Sequence, residues 1–163
     1  MNKTFFTIAI VGILLLARAQ AEEFQVGFAQ LSITPDIIDQ WVDVNDDAQF
    51  DPDIDLWTDV NGNGKFDAVW MAGFQNQRPA QGVKDNLMAV AVVIDDGKNR
   101  IGIVSVDTVG LMRKFVLGVR EAVPAELGLD YLMVHATHNH EGPDTQGLWG
   151  PSFFSSGVDP DYM

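Results

Sequence analysis

"LMAVAVVIDDGKNRIGIVSVDTVGLMRKFVLGVREAVPAELGLDYLMVHAT", residues 87–137, carries the reading of the fold. Two apolar runs rich in β-branched residues flank Asp95-Asp96-Gly97-Lys98-Asn99, the turn chemistry of a β-hairpin. Beyond them, apolar residues recur at 111, 112, 115, 116, 119 and 123, with Arg113, Lys114, Arg120 and Glu121 between. That spacing predicts a helix, ended by Pro124. "YLMVHAT" is then a short apolar strand. Strand, helix and strand in so short a span make a crossover unit, so the expected class is α/β: a layered mixed sheet with flanking helices. Ligands of open α/β sheets bind outside the carboxyl ends of strands, which fall here at Asp107-Thr108 and Thr137-His138.

Toward the amino terminus, "FQVGFAQLSI" alternates near period two and stops at Thr34-Pro35, as a strand closed by a proline does. Lys3, the apolar run Phe5 to Leu16 and the small residues Ala19 and Ala21 form a secretory leader pattern, so residues 1–21 are expected to be a signal peptide cleaved after Ala21. The apolar run is shorter than the roughly 20 residues a membrane-spanning helix needs. The expected destination is secreted or periplasmic. Losing Lys3 and Arg18 with the leader takes the formal charge from −13 to −15, which argues against nucleic acid as a partner. Cysteine is absent, so an exported chain of this kind must be held by its core or by ions. The chain stops at "GVDPDYM" without a closing element, and residues 22–163 are expected to be the N-terminal part of an incomplete domain.

Between residues 43 and 67 the composition changes to eight aspartates and one lysine, an Asp-rich insert with little hydrophobic periodicity that is expected to stay out of the core. "DVNDDAQFD" at 43 and "DVNGNGKFD" at 59 superimpose at an offset of 16 residues. Side-chain oxygens recur at relative positions 1, 3, 5 and 9: Asp43, Asn45, Asp47 and Asp51, then Asp59, Asn61, Asn63 and Asp67. Calcium takes six to eight oxygens at such loop spacing, with glycine favoured at position 6, where the second copy has Gly64. The first copy has Ala48 there, and neither copy has the glutamate at position 12 that completes an EF-hand. The expectation is therefore structural Ca2+ in loops of another kind, with Asp53 or Asp55 completing a neighbouring shell. A solvated acidic loop is the alternative.

All three histidines lie in "HATHNH", residues 135–140. His135, inside the strand, is expected to be a buried, neutral core residue. His138 and His140, spaced i and i+2 at the strand's carboxyl end and followed by Gly142-Pro143, can present both rings to one side. A catalytic zinc site needs three protein ligands and an open position, and this chain has no further histidine.

Three stretches together, "VGFAQLSITP", "AGFQNQRPAQGVKDNLMAVAVVIDDGKNRIGIVSVDTVGL" and "ATHNHEGPDTQGLWG", resemble in order and spacing the amino-terminal catalytic domain of neutral/alkaline non-lysosomal ceramidases. The likeness covers most of residues 24–150 apart from the insert, and "THNHEGPD" is its most specific element. The resemblance implies a zinc-dependent amidohydrolase that cleaves the N-acyl amide of ceramide or a related N-acyl lipid. It implies that His138 is a Zn2+ ligand, that His140 stands in the active site to position the scissile group or stabilise an oxyanion, and that Asp107 supports them. The family's remaining zinc ligands and its nucleophile-like serine lie further along, beyond Met163, so the fragment alone is expected to be inactive. Glu141 stands where a serine is usual, Val90 where an arginine is common, and the insert has no counterpart.

The reading from a different class is a secreted, calcium-stabilised binding module without catalysis. Trp41, Trp57, Trp70 and Trp149 are expected to be packing residues; "GLWGPSFF" after the histidines is the stretch that could face an acyl chain, and peripheral membrane contact stays open.

Overall fold

The computed structural model describes residues 23–163, and the expected leader lies outside them. The element order is β1 (Gln25–Ser32), β2 (Gln40–Val42), β3 (Leu56–Thr58), β4 (Met88–Asp95), β5 (Arg100–Val106), α1 (Arg113–Ala122) and β6 (Tyr131–Ala136), with a short 3-10 turn at Ala125–Leu127.

The hairpin forms where the turn residues put it. β4 and β5 pair antiparallel from Ala89↔Val106 to Asp95↔Arg100. The Asp96 carboxylate accepts the Lys98 and Asn99 N–H groups at 2.9 and 2.7 Å. Gly97 turns the chain at φ +86°, a conformation glycine adopts without a Cβ penalty. Arg100 and Asp95 close the end of the ladder with an ion pair of 2.6 Å. β1 adds antiparallel to β4, and β6 adds parallel to β5 after the α1 crossover, giving a mixed sheet of order β1-β4-β5-β6. The helix ends before Pro124, as its sequence requires.

An α/β mixed sheet is thus present, but helical cover is sparse: among the described residues α1 is the one α-helix, and none of its residues is buried. The strands expected to be buried are half-buried along β4 and most of β5, because little packs on the sheet faces. β1 is exposed throughout, with Phe28 83% and Leu31 70% accessible.

The acidic insert departs from expectation. Its first and last turns flank a second, two-stranded sheet in which Trp41 pairs with Trp57. Phe50 inside the insert is buried and stacks on Phe66 at 4.2 Å, with Trp41 edge-on to Phe50 and Trp57 and Trp70 against Phe66. A segment expected to stay out of the core therefore builds part of it, because each copy of the repeat contributes one phenylalanine and one tryptophan. The duplication also begins earlier than the ligand pattern suggests. Asp39 and Asp55, related by the same offset and both buried, cross over: Asp55 accepts the Val44 and Asp51 N–H groups of the first loop, and Asp39 accepts Val60 and Asp67 of the second. Asp55 is thus occupied by backbone donors.

Candidate metal-binding histidine site

The site stands at the carboxyl ends of the two parallel strands. Past Val106↔Ala136 the chains stay tied: the Thr137 hydroxyl donates to Asp107 Oδ1 at 3.1 Å, and the His138 and Asn139 N–H groups donate to the Thr108 carbonyl at 3.0 and 3.3 Å. Asp107 Oδ2 accepts the Met88 N–H at 2.9 Å. With both oxygens engaged, Asp107 joins the ends of β4, β5 and β6.

His138 leaves the strand at φ +63°, a left-handed conformation uncommon for a residue with a Cβ. Its Nδ1 lies 2.7 Å from the Val109 carbonyl. A carbonyl can only accept, so Nδ1 carries the proton and Nε2 keeps its lone pair when the ring is neutral. His140 Nε2 is 3.3 Å from that Nε2, with the ring centroids 5.0 Å apart. The two imidazoles are brought together. His135 is not with them and is not buried: on edge strand β6 its ring is exposed and reaches only the Ala136 carbonyl, at 3.3 Å.

A second wall holds His140. Residues 70–72 lie between two partners, bridging to Pro79 on one side and to Pro143 on the other. The Ala72 N–H donates to the Gly142 carbonyl at 2.9 Å and the Asp144 N–H to the Trp70 carbonyl at 2.7 Å. Gly73 follows at φ +114°, and a Cβ there would collide with the His140 ring, so the residue must be glycine. Phe74 meets His140 edge-on at 5.3 Å. Below, buried Arg78 donates to the Ala72 and His140 carbonyls at 2.8 and 2.6 Å and faces Glu141 at 3.3 Å. After the histidines, buried Asp144 accepts four backbone N–H groups, from Gln146, Gly147, Trp149 and Gly157, at 2.8 to 3.1 Å. One carboxylate thus organises the whole following loop.

A cleft of about 760 Å³ opens beside the segment. Asp107, Asn139 and Glu141 line it together with Thr34, Met71 and Leu87, while neither imidazole does.

No family model matches the chain, and no curated protein does. The chemistry of the site rests on its own donors. Two imidazole nitrogens sharing a tetrahedral zinc at about 2.05 Å stand about 3.3 Å apart, the spacing seen between His138 and His140. The Nδ1–H···O=C bond to Val109 fixes the tautomer of His138 and leaves Nε2 as the free donor, the arrangement common among histidines that bind metals. The same 3.3 Å is the length of an Nε2–H···Nε2 hydrogen bond from His140 to His138, and as zinc donors the pair fits in kind and spacing but supplies two ligands. Among the described residues no group of three or more His, Asp or Glu is arranged to hold a metal ion.

The repeat loops fold alike. In both, the first-position carboxylate accepts the N–H groups of positions 5 and 6: Asp43 from Asp47 and Ala48, Asp59 from Asn63 and Gly64. Positions 4 and 6 are left-handed in both copies, at Asp46, Ala48, Gly62 and Gly64. Asn45 donates to Asp47, and Asn61 and Asn63 both donate to Asp67. Asp51 accepts the Asp53 N–H.

Arg78, Gly73, Phe74 and Asp144 were not singled out by the sequence reading. The signals for the first three were in "MAGFQNQRP", where one arginine stands alone among neutral residues beside a Gly-Phe pair.

Proposed function

We propose that the chain carries part of a zinc-dependent amidohydrolase site, in which His138 and His140 hold the metal together. The observation that carries this reading is the 3.3 Å approach of the two Nε2 atoms, one of them with its tautomer set by the Val109 carbonyl. On this reading His140 is a second ligand, where the resemblance implies a positioning or oxyanion-stabilising group. When bound, zinc supplies a Lewis acid that lowers the pKa of water or polarises an amide carbonyl. The residues of this chain hold the ligand rings: Thr108 and Val109 fix His138, while Arg78, Gly73 and Phe74 fix His140. The remaining positions on the ion would be filled by water or by donors that the described residues do not bring to the pair.

The substrate class, the N-acyl amide of ceramide or a related N-acyl lipid, follows from the resemblance to neutral ceramidases. Two features support an acyl-bearing substrate. The neighbouring cleft mixes apolar residues such as Met71 and Leu87 with polar Asn139 and Glu141. The loop after the histidines exposes Leu148, Phe153 and Phe154, the last 95% accessible. The test is amide hydrolysis by the full-length protein with His138→Asn, since asparagine tolerates the left-handed backbone that alanine strains. Turnover falls to background with the fold retained; undiminished turnover removes the reading.

Calcium is proposed as a structural ion of the insert, supported by the shared backbone trace of the two loops. In this part of the proposal the first-position carboxylates exchange backbone N–H groups for the ion, and the loops stiffen without entering the chemistry. Should zinc fail to bind, a calcium-stabilised binding module is the function that remains.

A further inference from the structure

Arg78 makes a set of contacts that structural packing alone does not call for. Its side chain is 9% accessible, and its Nη1 donates to both carboxylate oxygens of Glu141, a 67% accessible side chain, at 3.3 Å. The shorter bonds go to two neutral carbonyls, those of Ala72 and His140, both from Nη2. The guanidinium also lies 4.9 Å from the centre of the Phe74 ring, the ring that packs edge-on against His140. Nε is buried without a partner. Every bond the group makes is directed to the segments flanking one imidazole.

We infer that Arg78 is a positioning residue for His140, holding its backbone and its aromatic neighbour so that Nε2 meets His138 Nε2; this rests on the zinc reading for its purpose, though not for its geometry. His138 is fixed independently, by the Thr108 and Val109 carbonyls. Loss of Arg78 therefore frees one ring and leaves the other in place. Lysine does not substitute in full, because a single ammonium lacks the second nitrogen that pairs with Glu141 while the first holds the carbonyls, and the planar group that lies over the Phe74 ring.

The experiment uses the full chain with Arg78→Met and Arg78→Lys. Without metal, proton NMR records the cross-peaks between the His138 and His140 rings and the hydrogen-bonded Nδ1–H of His138. The expected result is loss of the inter-ring cross-peaks with the Nδ1–H signal retained. With Co2+ as the probe ion, the expected loss in affinity is about 10- to 100-fold, as for other residues that orient ligands from outside the coordination shell. Inter-ring cross-peaks as strong in the variants as in the parent overturn the inference. If the methionine variant fails to fold, the lysine variant, which keeps stem and charge, decides by the same signals. If the parent chain takes up no Co2+, the zinc reading falls, and the inter-ring cross-peaks alone still decide the role of Arg78.

Discussion

Replacing Gly73 with alanine perturbs His140 through a single methyl group. The built Cβ lies 2.5 Å from His140 Cβ and 2.7 Å from its Nδ1, well inside contact distance. The backbone at φ +114° adds the strain of a conformation that L-residues avoid, about 1–2 kcal/mol. Forcing the methyl into an occupied space adds about 1–3 kcal/mol if the neighbours stay in place. Together these give about 2–5 kcal/mol of destabilisation for a rigid site. Swinging the His140 ring outward relieves the contact with Nδ1 but not that with Cβ, which only a backbone shift can move, so the loss exceeds the backbone value of about 1–2 kcal/mol. Stability and metal binding are read separately. Urea denaturation reads the stability, and Co2+ binding reads whether the Nε2 pair survives. A loss of stability in this range, with metal binding weakened where the clash displaces His140, agrees with the structure. Stability within about 0.5 kcal/mol of the parent, with unchanged Co2+ affinity, refutes the geometry assigned to Gly73 and His140.

Asp144→Ala strips four backbone donors of their acceptor. It is expected to cost at least about 3 kcal/mol, two charge-assisted hydrogen bonds' worth, and to speed amide exchange across residues 146–157; parental exchange there counts against it. Saturating Ca2+ is expected to raise Tm and chelator to reverse it. At a hundredfold excess over Kd the gain is about 2.7 kcal/mol, or about 5–10 °C for a chain of this size, and is reduced in Asp43→Asn and Asp59→Asn. Equal Tm in calcium and chelator removes calcium from the account. The hairpin turn gives the pH dependence. Asp95 is held below its ordinary value first by the Gly97 N–H and then by Arg100, and Asp96 by the Asn99 and Lys98 N–H groups. A lowered native pKa means that the unfolded chain takes up protons first, so this support is complete above about 3.9 and disappears as pH falls through the native values. The Gly97 and Asn99 amide shifts should stay constant from pH 7 to 5 and move only below about 3.9; a midpoint above that value contradicts the assignment.

Local chemistry made the sheet's centre legible. A five-residue polar turn between β-branched runs can form little besides a hairpin, and a 3.6-period face ended by proline specifies α1. The pairing of β1 with β4 is different, since it joins segments about sixty residues apart and no local pattern encodes it. The small sheet in the insert was hidden for another reason. Aspartates dominate the stretch, and the alternation that marks a strand needs more than the three residues of β2 or β3. Only the duplicated Trp, Phe and Asp positions, read together, point to two strands meeting across a local pseudo-symmetry. At the site, the HxH spacing announced the converging rings, whereas their supports could not be anticipated. Arg78 and Gly73 act on His140 from more than sixty positions away, through carbonyls and through an absent Cβ. The misreading of His135 has the same origin: a histidine inside an apolar run is buried only if that strand is covered, and β6 is an edge.

The central claim is that His138 and His140 share one divalent cation. Equilibrium dialysis of the metal-stripped chain against Zn2+ in excess Ca2+, with the His138→Asn and His140→Asn variants alongside, tests it most directly. The account predicts one zinc per parent chain and a loss of at least tenfold in affinity in each variant. Zinc uptake that is absent from the parent, or equal in all three proteins, contradicts it.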